Sequence, residues 1–166
     1  KAEEFLSSWL ESKNIAPEQV AVGSKWGYRY TADWRVDTGG EPHEVKDHSC
    51  EHFLKQSVES LGLLESHLRL YQIHSATLES GVLSDPKVLD QLRAFKSDKR
   101  VRLGLSLSGV KQADTLRVAL AVPLTAGADP SSGRLFDCVQ ATWNLLEQSA
   151  GEALEEARQA GMDGII

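Results

Sequence analysis

The stretch LRLYQIHSAT at residues 68–77 is an apolar run that stops abruptly at a histidine. Leu68, Leu70, Tyr71 and Ile73 read as a buried strand, and His74 is the titratable side chain at its C-terminal tip. The design recurs along the chain. The run at 20–26 carries Lys25, the run at 101–107 carries Ser106, and the run at 135–141 carries Gln140. Segments with helical periodicity separate these runs. Strands alternating with helices predict parallel βαβ units. Polar residues gathered at the C-terminal ends of parallel strands predict a site at that end of the sheet.

The chain opens in a helical pattern, with Phe5, Leu6, Trp9 and Leu10 on one stripe. After the strand at 20–26, residues 27–47 form the least regular segment, mixing Tyr28, Tyr30 and Trp34 with Gly39, Gly40 and Pro42. A connection this long is often functional; it equally fits a surface loop held by its own aromatics. Ser49 is a suitable N-cap for a helix that turns Phe53, Leu54, Val58 and Leu61 inward and ends near Gly62. Asp85 is placed to cap a helix with Pro86 at its first position, where a missing N–H costs nothing. Val88, Leu89, Leu92 and Phe95 are its apolar face. Ala113, Leu116, Ala119 and Leu120 mark another helix. Leu146, Ala150, Ala153, Leu154 and Ala157 mark a third, ending at Gly161, and a strand begins at 162.

Predicted strands thus start near residues 20, 69, 101, 135 and 162. Intervals of about 30 residues match a (β/α)8 TIM barrel, whose eight units occupy roughly 250 residues. The 166 residues therefore predict one α/β domain, a partial barrel of about five βα units. On that arithmetic about two units would precede the chain and about one would follow it. The uncapped helical start at Lys1 and the strand beginning at 162 agree with this expectation. An open doubly wound sheet is the alternative, but no G-x-G-x-x-G follows the first strand.

A net charge of −6 argues against a nucleic-acid backbone as partner. No apolar run approaches the roughly 18 residues that a membrane span needs. Two cysteines, Cys50 and Cys138, make no disulfide framework, so a reducing, cytoplasmic setting is expected. His43, His48, Cys50 and His52 cluster in sequence, but their spacing fits no zinc pattern, and no metal is expected.

Five pieces of the chain carry a resemblance: SKWGY at 24–28, QSVESLGLL at 56–64, LRLYQIHS at 68–75, LGLSLSG at 103–109 and FDCVQATWNLLEQSA at 136–150. In this order and spacing, they resemble the central portion of the aldo-keto reductases, and the likeness covers nearly the whole chain. The resemblance implies a TIM barrel and reduction of an aldehyde or ketone to an alcohol by hydride from NADPH, with NADH not excluded. It implies a small-molecule carbonyl substrate.

The family uses a Tyr, a Lys, an Asp and a His. Hydride arriving at a carbonyl carbon leaves charge on oxygen, and a general acid must protonate it. Tyrosine is a poor acid at neutral pH unless a neighbouring Lys⁺ stabilises the phenolate. Histidine donates a hydrogen bond that polarises the carbonyl. By resemblance Lys25 and His74 match the catalytic Lys and His. Ser106 and Gln140 match residues that read the nicotinamide carboxamide. Leu107 stands where the family has an Asn, and leucine can neither donate to nor accept from an amide. Tyr28, Tyr30 and Tyr71 do not match the catalytic tyrosine's motif, and that motif and the Asp belong to a segment before residue 1. The 166 residues alone are therefore expected to be inactive. The alternative is a non-catalytic relative that binds a nicotinamide cofactor or a protein partner.

Overall fold

The computed structural model describes residues 2–32, 35–64 and 66–166. Helix α1 (Ala2–Ser12) leads into strand β1 (Val22–Trp26). A hairpin follows, β2 (Tyr28–Tyr30) and β3 (Glu44–Lys46), and then helix α2 (Cys50–Leu64). Strand β4 (Leu68–Ala76), helix α3 (Pro86–Lys99), strand β5 (Arg102–Leu107) and helix α4 (Gln112–Leu120) come next. Strand β6 (Cys138–Gln140), helix α5 (Gly151–Gln159) and strand β7 (Asp163–Ile165) close the chain. The five long-range strands form one parallel sheet in the order β1-β4-β5-β6-β7. This is the βα succession of a partial TIM barrel.

Period-two alternation assigns each strand residue to one of two faces. One face carries Trp26, Tyr71, Ile73, Leu103, Leu105 and Val139, all buried. Helices α2 and α3 cover part of it through an aromatic cluster. Phe53 of α2 meets Trp26 edge-on at 4.9 Å, and Phe95 of α3 meets Phe53 at 5.7 Å and stacks on Tyr71 at 5.3 Å. The buried Tyr71 hydroxyl is satisfied by Ser60 Oγ at 3.1 Å. The opposite face carries a layer in register, Lys25, Gln72, Gly104, Cys138 and Asp163.

Caps and ties hold the elements in place. Asp85 accepts from the amides of Lys87 and Val88, with Pro86 opening α3, as the sequence predicts. Ser49 Oγ accepts from the His52 amide at the start of α2. Asp137, just before β6, accepts from Lys96 Nζ at 2.8 Å and from the Leu103 amide at 2.9 Å, joining α3, β5 and β6.

Several expectations are corrected. The segment 27–47 is not irregular throughout, because Tyr28–Tyr30 pairs antiparallel with Glu44–Lys46. Trp34, one of its aromatics, lies outside the described residues, as do Lys1, Asp33 and Glu65. Helix α2 presents Phe53, Ser57, Ser60 and Leu64 to the sheet and runs past Gly62, while Leu54 and Val58 are exposed. The Phe53 contacts and the Ser60–Tyr71 bond set this rotation, outweighing the apolar character of Leu54 and Val58. Phe5 and Trp9 are also exposed, because Leu10 and Leu6 make the packed edge of α1. Leu146 lies outside α5 and is exposed. The strand predicted at 135–141 shortens to Cys138–Gln140.

Gly104 marks the closest approach within the sheet. A Cβ there would sit 2.9 Å from the Cys138 carbonyl oxygen and 3.1 Å from Gln72 Cγ. Backbone cannot yield as a flexible side chain does, so Gly104→Ala overpacks the interior. We expect a loss of about 1–3 kcal/mol in urea unfolding; an unchanged midpoint would count against this packing.

Candidate functional site

The residues singled out in sequence lie at or near the C-terminal ends of the parallel strands. Lys25 stands near the end of β1, one step inside the layer of His74, Ser106 and Gln140. Lys25 and Gln140 line a groove of about 550 Å³ on the face opposite the helices, together with Gln72 and Cys138. Ser106 pairs in register with Gln140. His74 follows Ile73, which pairs with Trp26, so its place is beside Lys25's strand.

Their electrostatic states differ from those in water. Burial lowers the Lys25 pKa, and no carboxylate among the described residues pairs with it. His74 is pushed below the ordinary imidazole value by burial first and by the Lys25 charge second, with Glu44 opposing. A neutral His74 can donate one N–H to an oxygen; it is no strong acid. Its ring lies edge-on to Tyr28 at 4.8 Å.

Ser106 is committed locally. Its Oγ accepts from the Ser75 amide at 2.9 Å, filling a gap where the register of β4 shifts between Ile73 and Ala76. The hydroxyl proton remains to be donated. Gln140 is half-buried and its amide has no partner among the described residues, so both its donor and its acceptor are available. These groups suit a primary carboxamide, which needs one donor and one acceptor. Leu107, a partly buried apolar residue packed against the core, adds no polar contact.

Two neighbours were not assigned to the site from the sequence. Gln72 is almost fully buried, and its Oε1 has no hydrogen-bond partner among the described residues. The available signal was its spacing, since it precedes His74 by two and shares its face. Tyr28 follows β1, whose Trp26 pairs with Ile73, and this brings its ring to His74. The histidines of the candidate metal cluster point to separate places. His48 Nε2 meets the His74 carbonyl at 2.8 Å and His52 Nε2 the Tyr28 carbonyl at 3.2 Å. Among the described residues no three His, Cys, Asp or Glu side chains converge on a common point, and no helix is long and apolar enough to cross a membrane.

No protein-family model and no curated protein matches the chain. Solved structures do. A Pseudomonas aeruginosa protein provisionally assigned as an aldo-keto reductase matches 98% of the chain at 25% identity, with a TM-score of 0.68. The chain is similar to the aldo-keto reductases. A second structure from the same organism, with the same provisional assignment, matches at 23% identity and the same TM-score, which supports the fold. The chain spans about half the length of these solved structures, 54% and 53%. The aldo-keto reductase likeness therefore holds for the backbone, and it supports an oxidoreductase-like fold.

The two half-buried imidazoles, His48 and His74, both lose their proton more readily in the folded chain. The unfolded chain binds protons at its ordinary value, near pH 6.5. Just below that pH the unfolded state holds more protons, so stability falls as pH falls. The depressed carboxylates act only below about pH 4.5, the unfolded carboxylate range. Urea midpoints at pH 7.5 and 5.5 check this, and the midpoint at pH 5.5 should be lower. Equal midpoints would contradict it.

Proposed function

We propose that the complete protein to which these 166 residues belong reduces an aldehyde or ketone to an alcohol, using NADPH or NADH. The observation that carries this reading is the gathering of Lys25, His74, Ser106 and Gln140 at the C-terminal ends of four successive parallel strands. A reduced nicotinamide, when bound, supplies the hydride. Ser106 and Gln140 would hold its carboxamide, the first by its free hydroxyl proton and the second by both ends of its amide.

The other two residues act on the carbonyl oxygen. Neutral His74 donates a hydrogen bond to it, orienting the substrate and stabilising charge as it develops. Lys25, half-desolvated and without a carboxylate partner among the described residues, supplies a positive field that favours proton release from a neighbouring acid. Tyr71 cannot be that acid. It lies on the helix-covered face, fully buried and bonded to Ser60, with its pKa raised by burial. By the resemblance the proton donor belongs to residues beyond this stretch, and the stretch alone should not turn over. Its free cysteines fit a reducing, cytoplasmic setting.

The test measures the complete protein's carbonyl-dependent NADPH oxidation together with cofactor binding by fluorescence. Lys25→Met should lower kcat by roughly 10²-fold or more while leaving the NADPH Kd nearly unchanged. Gln140→Leu should weaken NADPH binding several-fold, the loss of roughly 1 kcal/mol of hydrogen bonding. Tight NADPH binding without turnover on any carbonyl would favour a non-catalytic nicotinamide-binding relative. Absence of NADPH binding would overturn both readings.

A further inference from the structure

The register shift in β4 frees backbone groups at His74 and Ser75 from the sheet ladder. Ser75 adopts φ 54°, a conformation that costs a non-glycine residue energy. Buried backbone polar groups must be paired somewhere. Three of those at this tip are taken by side chains from the end of β3, the loop after it and β5. His48 Nε2 meets the His74 carbonyl at 2.8 Å, Lys46 Nζ meets the Ser75 carbonyl at 2.8 Å, and Ser106 Oγ accepts from the Ser75 amide at 2.9 Å.

The His48 ring is seated with little freedom. A carbonyl faces Nε2, so Nε2 carries the proton and donates. Nδ1 is then a buried acceptor with no donor near it. The indole of Trp26 meets the ring edge-on at 5.7 Å. Gly27 leaves space for it; a Cβ there would lie 2.6 Å from His48 Cδ2, and Gly27 holds φ 120°. Beyond this, the Tyr28 ring rests against His74 itself, and His52 holds the Tyr28 carbonyl. β-bulges recur beside active sites, and here the irregularity falls between Ile73 and Ala76, the stretch that carries His74.

We propose that His48, assisted by Lys46, is a positioning residue: the two grip the successive carbonyls of His74 and Ser75 and thereby set the direction of the His74 imidazole against Tyr28. His48 touches neither substrate nor cofactor in this role. Its bond is part-buried and its ring desolvated, so it carries more of the grip than Lys46, which is exposed. The kinetic consequence rests on the reductase reading given above; the orientation of His74 does not.

The experiment compares His48→Gln, whose amide nitrogen can replace the Nε2 donor, with His48→Leu, which fills the space without donating. Both are made in the complete protein. His48→Leu should lower kcat about tenfold or more, with the NADPH Kd unchanged. His48→Gln should recover most of the rate although both variants melt at similar temperatures. Equal rates in the two variants would overturn the proposal. The second arm is carbon-edited NMR of the His74 ring. Its resonances, shifted by the Tyr28 ring current, should persist in His48→Gln and move toward averaged values in His48→Leu. An unchanged His74 signal in His48→Leu overturns the proposal. Should the wild-type protein reduce no carbonyl, the reductase reading falls, and the NMR arm alone decides the positioning role.

Discussion

The pairing of β4 with neighbours on both sides is the constraint on which everything else rests. β4 is in register with β1 through Lys25 and Gln72 and with β5 through Gln72 and Gly104. That register sends Tyr71 and Ile73 under the helices and keeps Gln72 beside Lys25. A slip of one residue would bury the polar set and expose the aromatic one. The cost of unpacking Tyr71 from Phe95 and Ser60 prevents it.

The regularity of β4 ends just where chemistry is placed. The ladder breaks between Ile73 and Ala76, and His74 and Ser75 pass into the care of side chains. The same hydroxyl that resembles a cofactor ligand, Ser106, is also a structural acceptor for the Ser75 amide. One residue thus links strand β5 to the histidine-bearing strand β4. Desolvation acts in the same direction on both ionisable groups of the site, lowering the pKa of Lys25 and of His74. Their mutual repulsion reinforces the neutral imidazole, which suits a hydrogen-bond donor.

Much of this was legible beforehand. Apolar runs with a turn or helix between them sufficed for the parallel strands, and Asp85-Pro86 marked the start of α3. Period two alone also placed Gln72 on the face of His74. Other features were hidden for identifiable reasons. Leu54 and Val58 have the right hydrophobicity for a core and the wrong rotation, because buried Ser60 has a hydroxyl partner across the interface. The hairpin 28–46 has too few apolar residues to signal strands; its two short arms pair with each other only.

By itself the sequence determined the alternation of strands and helices, the polar residues at the strand ends and the resemblance to the aldo-keto reductases, because periodicity and motif order are properties of the chain alone. Tertiary structure decided which residues surround the histidine. His48 lies 26 positions from His74, Ser106 lies 31 from Ser75, and Tyr28 reaches the imidazole from the residues that follow β1. Such contacts follow from how strands stack and where a ladder breaks, and no local pattern of residue types encodes them.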